Sequence, residues 1–329
     1  MRDKFYNIDC VAGAKKHLKN NSIDLIITDP PYGIEGDKLH KHYNRNEKYV
    51  IDGYVEIPKK DYEDFSLKWI LEAERVLKPG GSMYIISGYT NLVDILNALK
   101  KTSLKEVNHI VWKYNFGVYT KTKYISSHYH ILYYIKGKAK HTFNTFSRFS
   151  DSEKFDDGRS KNYHDREDVW NIKREYKPGQ IKNKNELPQE LLKKMILYSS
   201  KEKDLICDFF LGSFSTAKVA KGLNRYSVGF EVSKKSFVYQ EKVFNNLKHG
   251  FLKKSLRKPP KNLLTNSGKK ITNGEKEKIL NIYYKLKSKG ETKKKAIEKV
   301  STKFGRGYWS IIKLIEKNPK KKVNLKFNF

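Results

Sequence analysis

Apolar and polar positions fall into repeating blocks along this chain, and the blocks predict an α/β domain. Residues 4–35 read strand, helix, strand, the second strand being the run Ile23-Asp24-Leu25-Ile26-Ile27-Thr28. From Asp61 to Leu77 the apolar positions Phe65, Trp69, Ile70, Ala73 and Leu77 recur at helical spacing, and Lys78-Pro79-Gly80-Gly81 ends that helix. Ser82–Ser87 reads as a strand and Thr90–Lys100 as an amphipathic helix. Val107–Tyr114 and Tyr129–Ile135 are rich in β-branched and aromatic residues and predict an antiparallel pair. The alternation lapses over residues 137–182. It returns as helix Pro188–Ser200, strand Leu205–Phe210, helix Ser215–Leu223, strand Ser227–Glu231 and helix Lys234–Leu247. This order predicts a mostly parallel, twisted sheet with an antiparallel edge hairpin.

Beyond residue 250 the pattern changes character. Residues 251–270 read as a linker with Pro259-Pro260, and 271–329 hold three short helical patterns, Glu275–Ser288, Thr292–Phe304 and Tyr308–Glu316. The chain therefore divides into a domain over 1–250, a linker over 251–270 and a small all-α module over 271–329. Charge follows that division. The whole chain carries 68 Lys and Arg against 36 Asp and Glu, a formal +32, which calls for a polyanionic partner, nucleic acid before membrane surface. Residues 251–329 carry 24 Lys and Arg against 5 Glu, hence +19. Three basic helices with tight turns look like a helix-turn-helix module, a basic cap or a protein-docking unit being the alternatives. Cys10 and Cys207 are the only cysteines, which argues against structural zinc and for a reducing, cytoplasmic setting. No apolar run has the length of a membrane span.

Two constellations carry chemistry. Ile23–Thr28 ends at Asp29-Pro30-Pro31-Tyr32. The prolines fix φ and remove backbone donors, so a carboxylate, carbonyl acceptors and an aromatic ring meet at a strand's C-terminal edge, where open α/β sheets place ligands. This set suits an exocyclic amine on a planar base. Its two hydrogens would go to Asp29 and the Pro30 carbonyl, with Tyr32 stacked on the ring. The second constellation is Asp208-Phe209-Phe210-Leu211-Gly212-Ser213-Phe214-Ser215-Thr216-Ala217, a strand-to-helix turn whose helix N-terminus offers N–H groups to a carboxylate. About twenty residues further on, Glu231 ends the next strand, a position that commonly grips ribose hydroxyls.

These motifs, in this order, resemble the permuted β class of DNA amino-methyltransferases of the D-P-P-Y type. The segment Asp208–Ala217 is similar to the family's D-P-F-x-G-S-G-T-T cofactor loop, with Phe214 where the family often has glycine. Asn7-Ile8-Asp9-Cys10 is similar to its G-D-C element, Glu74–Gly81 to its R-V-L-K-P-G-G turn, and Asn183–Pro188 keeps only Glu186 and Pro188 of its H-P-T-E-K-P element. The resemblance implies the S-adenosylmethionine-dependent methyltransferase fold. It implies catalytic roles for Asp29, Pro30 and Tyr32, and cofactor contacts from Asp9, Cys10, Asp29, Asp208, Phe210, Gly212, Ser213, Ser215 and Glu231, with no metal.

The expected activity is methyl transfer from S-adenosylmethionine to adenine N6 in DNA, double-stranded or single-stranded, as part of a restriction-modification system or as an orphan modification enzyme. Cytosine N4 is the near alternative. A DNA-binding regulator on an inactive methyltransferase scaffold, and an RNA or protein-amide methyltransferase, are the more distant ones. A homodimer and a cognate restriction endonuclease are the further partners the resemblance implies. The loop 36–57 is expected to close over DNA. The stretch 137–182 is expected to recognise the target, with Arg148, Arg159, Arg166, Asn162 and Asn171 as the side chains suited to base edges.

Overall fold

A computed structural model of the chain describes residues 3–31, 57–115, 117, 119–175, 186–256, 266 and 269–319. Tyr32 and nearly all of the loop 36–57 lie outside the described residues, as does the first half of Asn183–Pro188. The chain divides into two compact units, Met1–Arg257 and Lys258–Phe329.

In the first unit, β1 (Lys4–Tyr6) leads into α1 (Cys10–His17) and β2 (Ile23–Thr28). Then come α2 (Tyr62–Val76), β3 (Leu77–Ser87), α3 (Leu92–Lys100) and the antiparallel strands β4 (Leu104–Lys113) and β5 (His128–Lys136). The short α4 (Lys161–Asp165) and β6 (Val169–Asn171) precede α5 (Gln189–Ser199), β7 (Leu205–Asp208), α6 (Ser215–Gly222), β8 (Tyr226–Phe230) and α7 (Lys234–Asn245). The eight strands form one sheet in the order β1-β8-β7-β2-β3-β5-β4-β6. Only β5 runs against its neighbours.

Strand periodicity sorts the core. Ile26, Met83, Ile85 and Leu132 face one side and pack on Trp69, Ile70, Ala73 and Ile95 of α2 and α3. Leu25, Ile27, Tyr84, Ile86 and Ile131 face the other and pack on Leu191, Met195 and Ile196 of α5 and Val219 of α6. Each such side chain, once buried, contributes about 1.5–3 kcal/mol. The Lys-Pro-Gly-Gly segment ends α2 as expected, but it does not stand apart as a turn. It becomes a bulge at the start of β3, with Gly80 at φ 78° and the β2 register jumping from Leu77 to Ser82.

Residues 137–182 depart further from expectation. β6 pairs in parallel with β4 and becomes the outermost strand, so the hairpin sits one strand in from the edge. Because β5 runs antiparallel, residue 137 leaves the sheet at the end opposite the C-termini of β2 and β7. From there Asn144, Asp165 and Arg148 lie along α5 from its end to its first turn, and β6 then returns to Val111–Lys113, at the same sheet edge as the C-termini of β2 and β7. Asn144 donates to the carbonyls of Leu197 (2.7 Å) and Ser200 (3.0 Å), Tyr198 donates to Asp165 (2.7 Å), and Arg148 pairs with Asp165 (3.0 Å). Asn162 is buried and donates to Asp151 at 2.6 Å, while Arg166 donates to the Asn162 carbonyl. Arg148, Asn162 and Arg166, expected to read base edges, thus hold this segment together.

The second unit holds α8 (Asn273–Ser288), α9 (Lys293–Phe304) and α10 (Tyr308–Glu316) around Ile279, Tyr283, Ile297, Val300, Ile311 and Ile315. Thr272 and Thr292 cap α8 and α9, and Gly305 (φ 57°) ends α9. Arg306, in the α9–α10 turn, is buried. Its guanidinium meets both oxygens of Glu275, at 2.9 and 2.6 Å, and the Asn266 carbonyl at 2.7 Å.

From the middle of the sheet, β2 leads to β3 on one side and β7 leads to β8 on the other. The crevice outside the C-terminal ends of β2 and β7 is therefore the topological switch point, where sheets of this kind bind ligands.

Candidate active site

Asp29 and the buried Pro30 leave β2 at this switch point. Tyr62, the first residue of α2 and fully buried, donates its hydroxyl to the Pro31 carbonyl at 2.8 Å. One of the two proline carbonyls is thereby used to pin the loop.

Asp208 ends β7 directly beside β2. It is buried, and it does not present its carboxylate to the crevice. Its Oδ1 accepts the Thr28 hydroxyl (3.1 Å) and the Phe210 N–H (3.1 Å), and its side chain also hydrogen-bonds Thr216. Burial pushes its carboxyl up to about 7 against these three hydrogen bonds, and the nearby charge of Asp29 adds to the rise. The expected direct cofactor contact from Asp208 is thus replaced by a tie between the two site loops, across 180 residues of sequence.

The following turn uses left-handed backbone at Gly212 (φ 46°) and Phe214 (φ 59°). A phenylalanine there is unusual and costs about 1–2 kcal/mol. Packing of the ring offsets this: Phe214 is fully buried, 4.8 Å from Phe5 and 5.9 Å from Phe237 between ring centroids. Ser213 and Ser215 share a 2.6 Å hydrogen bond at the N-terminus of α6. The Phe210 ring lies half-exposed against Phe65 and Trp69.

Glu231 follows β8. One oxygen accepts the Gly212 N–H at 2.8 Å and the other the Ser233 N–H at 2.7 Å. Burial raises its carboxyl, and these N–H groups oppose the rise. Asn7 donates to the Glu231 and Val232 carbonyls, and Ser236 donates to the Gly212 carbonyl, closing the rim. Asp9 is exposed and caps α1 through the Val11 and Ala12 N–H groups, both 3.0 Å from Oδ1. Cys10 does not join the site through its side chain. The thiol is buried in the core, and burial pushes it up, beyond titration at neutral pH. A small apolar residue opening a helix is drawn inward by packing.

The structure thus gathers Asp9, Asp29, Pro30, Phe210, Gly212, Ser213, Ser215 and Glu231 at one sheet edge, with Asp208 beneath them. Sequence reading quoted Asn7, Thr28 and Thr216 within its motifs without giving them a role, and it missed Tyr62, Ser233 and Ser236. The only signal for Thr28 was its place at a strand end. Tyr62 and Ser236 had none, since their partners Pro31 and Gly212 lie 31 and 24 residues away, and Ser233, two residues from Glu231, lay outside any motif. Among the described residues, no group of three or more His, Cys, Asp or Glu is placed to hold a metal ion.

A left-handed glycine turn into a helix, an acidic residue at the end of the next strand, and Asp-Pro-Pro on the other side of the switch point define an S-adenosylmethionine-dependent methyltransferase. The family model N6_N4_Mtase, described as DNA methylase, matches residues 23–242, and the chain belongs to this family of DNA methyltransferases. It is 30% identical over 331 residues to the Type II methyltransferase M.HpaI of Haemophilus parainfluenzae, covering 96% of both chains. It is 32% identical to the DNA adenine methyltransferase YhdJ of Escherichia coli over 241 residues, 68% of this chain and 76% of that one. In fold it is similar to the M1.HpyAVI–SAM complex, with TM-score 0.52 and 24% identity, covering 75% of this chain and all of that one. It is likewise similar to the cytosine-N4-specific PvuII DNA methyltransferase, with TM-score 0.55 and 15% identity, covering 75% of this chain and 87% of that one.

The family uses S-adenosylmethionine, and the residues present fit it. A half-buried carboxylate already oriented by two N–H groups suits ribose hydroxyls. A helix N-terminus flanked by two serine hydroxyls suits an amino-acid carboxylate. Among the described residues no helix is long and apolar enough to cross a membrane.

Proposed function

We propose that this DNA methyltransferase modifies the exocyclic N6 amine of adenine, as the modification member of a restriction-modification system. One observation carries the reading most. Thr28, next to Asp29, is hydrogen-bonded to Asp208, which also anchors the glycine turn, so the amine-binding loop and the methyl-donor loop are one rigid unit. Asp in the first motif position and the relation to a named DNA adenine methyltransferase support adenine. The relation to Type II methyltransferases supports the restriction-modification setting.

Glu231 would hold the ribose of S-adenosylmethionine. Gly212, Ser213, Ser215 and the α6 N-terminus would hold its methionine part, with Phe210 against it and Asp9 toward the adenine end. Bound there, S-adenosylmethionine supplies an electrophilic sulfonium methyl. The amine of adenine is a weak nucleophile because its lone pair is delocalised into the ring. Asp29 and the Pro30 carbonyl accept its two N–H groups, which favours a pyramidal nitrogen and localises the pair. Tyr32, outside the described residues, would stack on the base. As positive charge develops on the nitrogen, Asp29 stabilises it in a site screened from water. After transfer the nitrogen gives its extra proton to the Asp29 carboxylate, which passes it to solvent. No protein nucleophile takes part. Cytosine C5 chemistry would need a thiolate, and burial pushes both Cys10 and Cys207 thiols upward.

The target base must leave the duplex, at a cost of a few kcal/mol that is smaller in single-stranded DNA. The second unit would bind the same DNA as a helix-turn-helix module. The first turn of α10 exposes Trp309 (72% exposed) and the next presents Lys313. A cytoplasmic protein, a homodimer and a cognate endonuclease complete the proposal.

The test is incubation with isotopically labelled S-adenosylmethionine and unmethylated bacterial DNA, native and denatured, followed by digestion to nucleosides. Label in N6-methyladenine is expected. Label in N4-methylcytosine would keep the mechanism and overturn the base assignment. No label on either DNA would overturn the enzyme reading.

A further inference from the structure

Arg148, Asn162 and Arg166 are engaged within their own segment, so DNA at the catalytic edge calls for other groups. The register pairs Ser87 with His130 and Lys113 with His128, so the chain between β4 and β5 projects from the same edge as Asp29. We propose that the outer limb of this β4–β5 arm, residues 119–127, is a preformed DNA-backbone clamp beside the target base, with Lys121 and Lys123 on phosphates and Tyr124 against the base stack next to the extruded nucleotide. The proposal rests on DNA as the substrate and not on which base is methylated.

The arm is built and braced. Its base closes through the Tyr114 N–H on the Ser127 carbonyl at 3.0 Å. Its two limbs touch: a Cβ on Gly117 would lie 2.2 Å from the Ile125 Cγ2 and 2.7 Å from the Ser126 carbonyl oxygen, so only glycine fits. At the tip, the Thr120 hydroxyl donates to the Lys123 carbonyl (2.7 Å) and accepts the Lys123 N–H (3.1 Å). From the β6 side, the Arg174 guanidinium lies over Tyr114 (4.8 Å) and Tyr129 (5.1 Å), at the arm's root. An arm ordered before it meets its partner loses little freedom on binding.

Its surface has the chemistry of a nucleic-acid contact. Tyr124 is 99% exposed and Tyr119 75%, an extreme for aromatic side chains. Lys113, Lys121 and Lys123 are exposed around them. No Asp or Glu occurs anywhere from Val107 to Ser150. Aromatic faces set among lysines, without acidic residues, suit stacking on bases beside a phosphate backbone. A second copy of the arm would bring like charges together, and among the described residues of the arm only Ile125 would serve a protein partner as an aliphatic anchor. The reach is also right. β2, β3, β5 and β4 are successive neighbours, which puts the arm's roots roughly 10–15 Å from the strand that carries Asp29. That distance spans only a few phosphates of a strand whose charges repeat every ~3.4 Å.

The test uses the full chain, a short duplex of random sequence, and binding measured without turnover over a range of salt. Lys121→Ala/Lys123→Ala should reduce the slope of log affinity against log salt by about two, because two phosphate contacts vanish. Tyr124→Ala should weaken binding about tenfold, and Tyr124→Phe should restore it. S-adenosylmethionine affinity should match the parent in every variant, which certifies the fold. Unchanged slope and affinity would overturn the clamp, as would a lysine variant that loses only self-association in sedimentation. Methyl transfer by the parent is scored separately, so failure of the catalytic reading and failure of the clamp are told apart.

Discussion

Replacing Asp208 with asparagine should remove a pH dependence that the fold now carries. The carboxyl is buried where its hydrogen-bond donors do not offset lost hydration, and it titrates at about 7 in the folded chain against 3.8 ordinarily. The folded state therefore holds this proton more tightly than the unfolded state. The stability due to the proton is complete below the ordinary carboxylate range and is lost as pH rises through about 7. Each pH unit within that window is worth about 1.4 kcal/mol, so the full span amounts to at most about 4 kcal/mol. The Asp208→Asn side chain has no such titration, and its amide carbonyl still accepts from Thr28 and Phe210. The assay is urea unfolding of parent and variant between roughly pH 4 and pH 8, followed by tryptophan fluorescence. Trp309→Phe in both chains leaves Trp69, Trp112 and Trp170, all in the first unit, as reporters. The raised Glu231 and the lowered His130 remain in both proteins and cancel in the difference. The variant should gain on the parent steadily as pH rises. A difference that stays flat with pH, or a variant less stable than the parent above pH 7 by as much as below it, would refute the reasoning.

Other predictions are more direct. Asp29→Ala should lower methyl transfer at least about a hundredfold in single-turnover assays while duplex affinity persists, and retained activity would remove Asp29 from the mechanism. Tyr62→Phe leaves the Pro31 carbonyl without its 2.8 Å donor and should cost about 1–3 kcal/mol in urea unfolding, with a fall in kcat from a loosened loop. Equal stability and kcat would show that the bond has no weight. Phe214→Gly relieves about 1–2 kcal/mol of left-handed strain but gives up a fully buried ring worth about 3–5 kcal/mol, so net destabilisation is expected, and a more stable variant would contradict the packing account. Deleting residues 260–329 should weaken DNA affinity and flatten its salt dependence, whereas an unchanged slope would assign the second unit to another partner.

Local pattern alone was enough to find most elements and both motifs. The short apolar, β-branched run Ile23–Thr28, the helical spacing from Phe65 to Ala73, and the proline and glycine stops are written in neighbouring residues, and neighbouring residues set backbone conformation. The order of the two motifs likewise needs no coordinates. The chain could not say by itself which polar groups face a crevice and which face each other. Asp208 and Glu231 both stand at strand ends beside a glycine turn. β7 lies between β8 and β2, so Asp208 is sealed under Thr28, while Glu231 stays at the rim with its oxygens held by Gly212 and Ser233. Arg148 reads as a base contact, and Arg306 as one more charge of a basic module, until the fold brings Asp165 and Glu275 against them. The β4–β5 arm passed as an ordinary hairpin connection until β5 and β3 placed it at the catalytic edge. A residue's local conformation is decided within a few neighbours. Its electrostatic environment is decided by whatever the strand order packs against it, here from as far as 180 residues away.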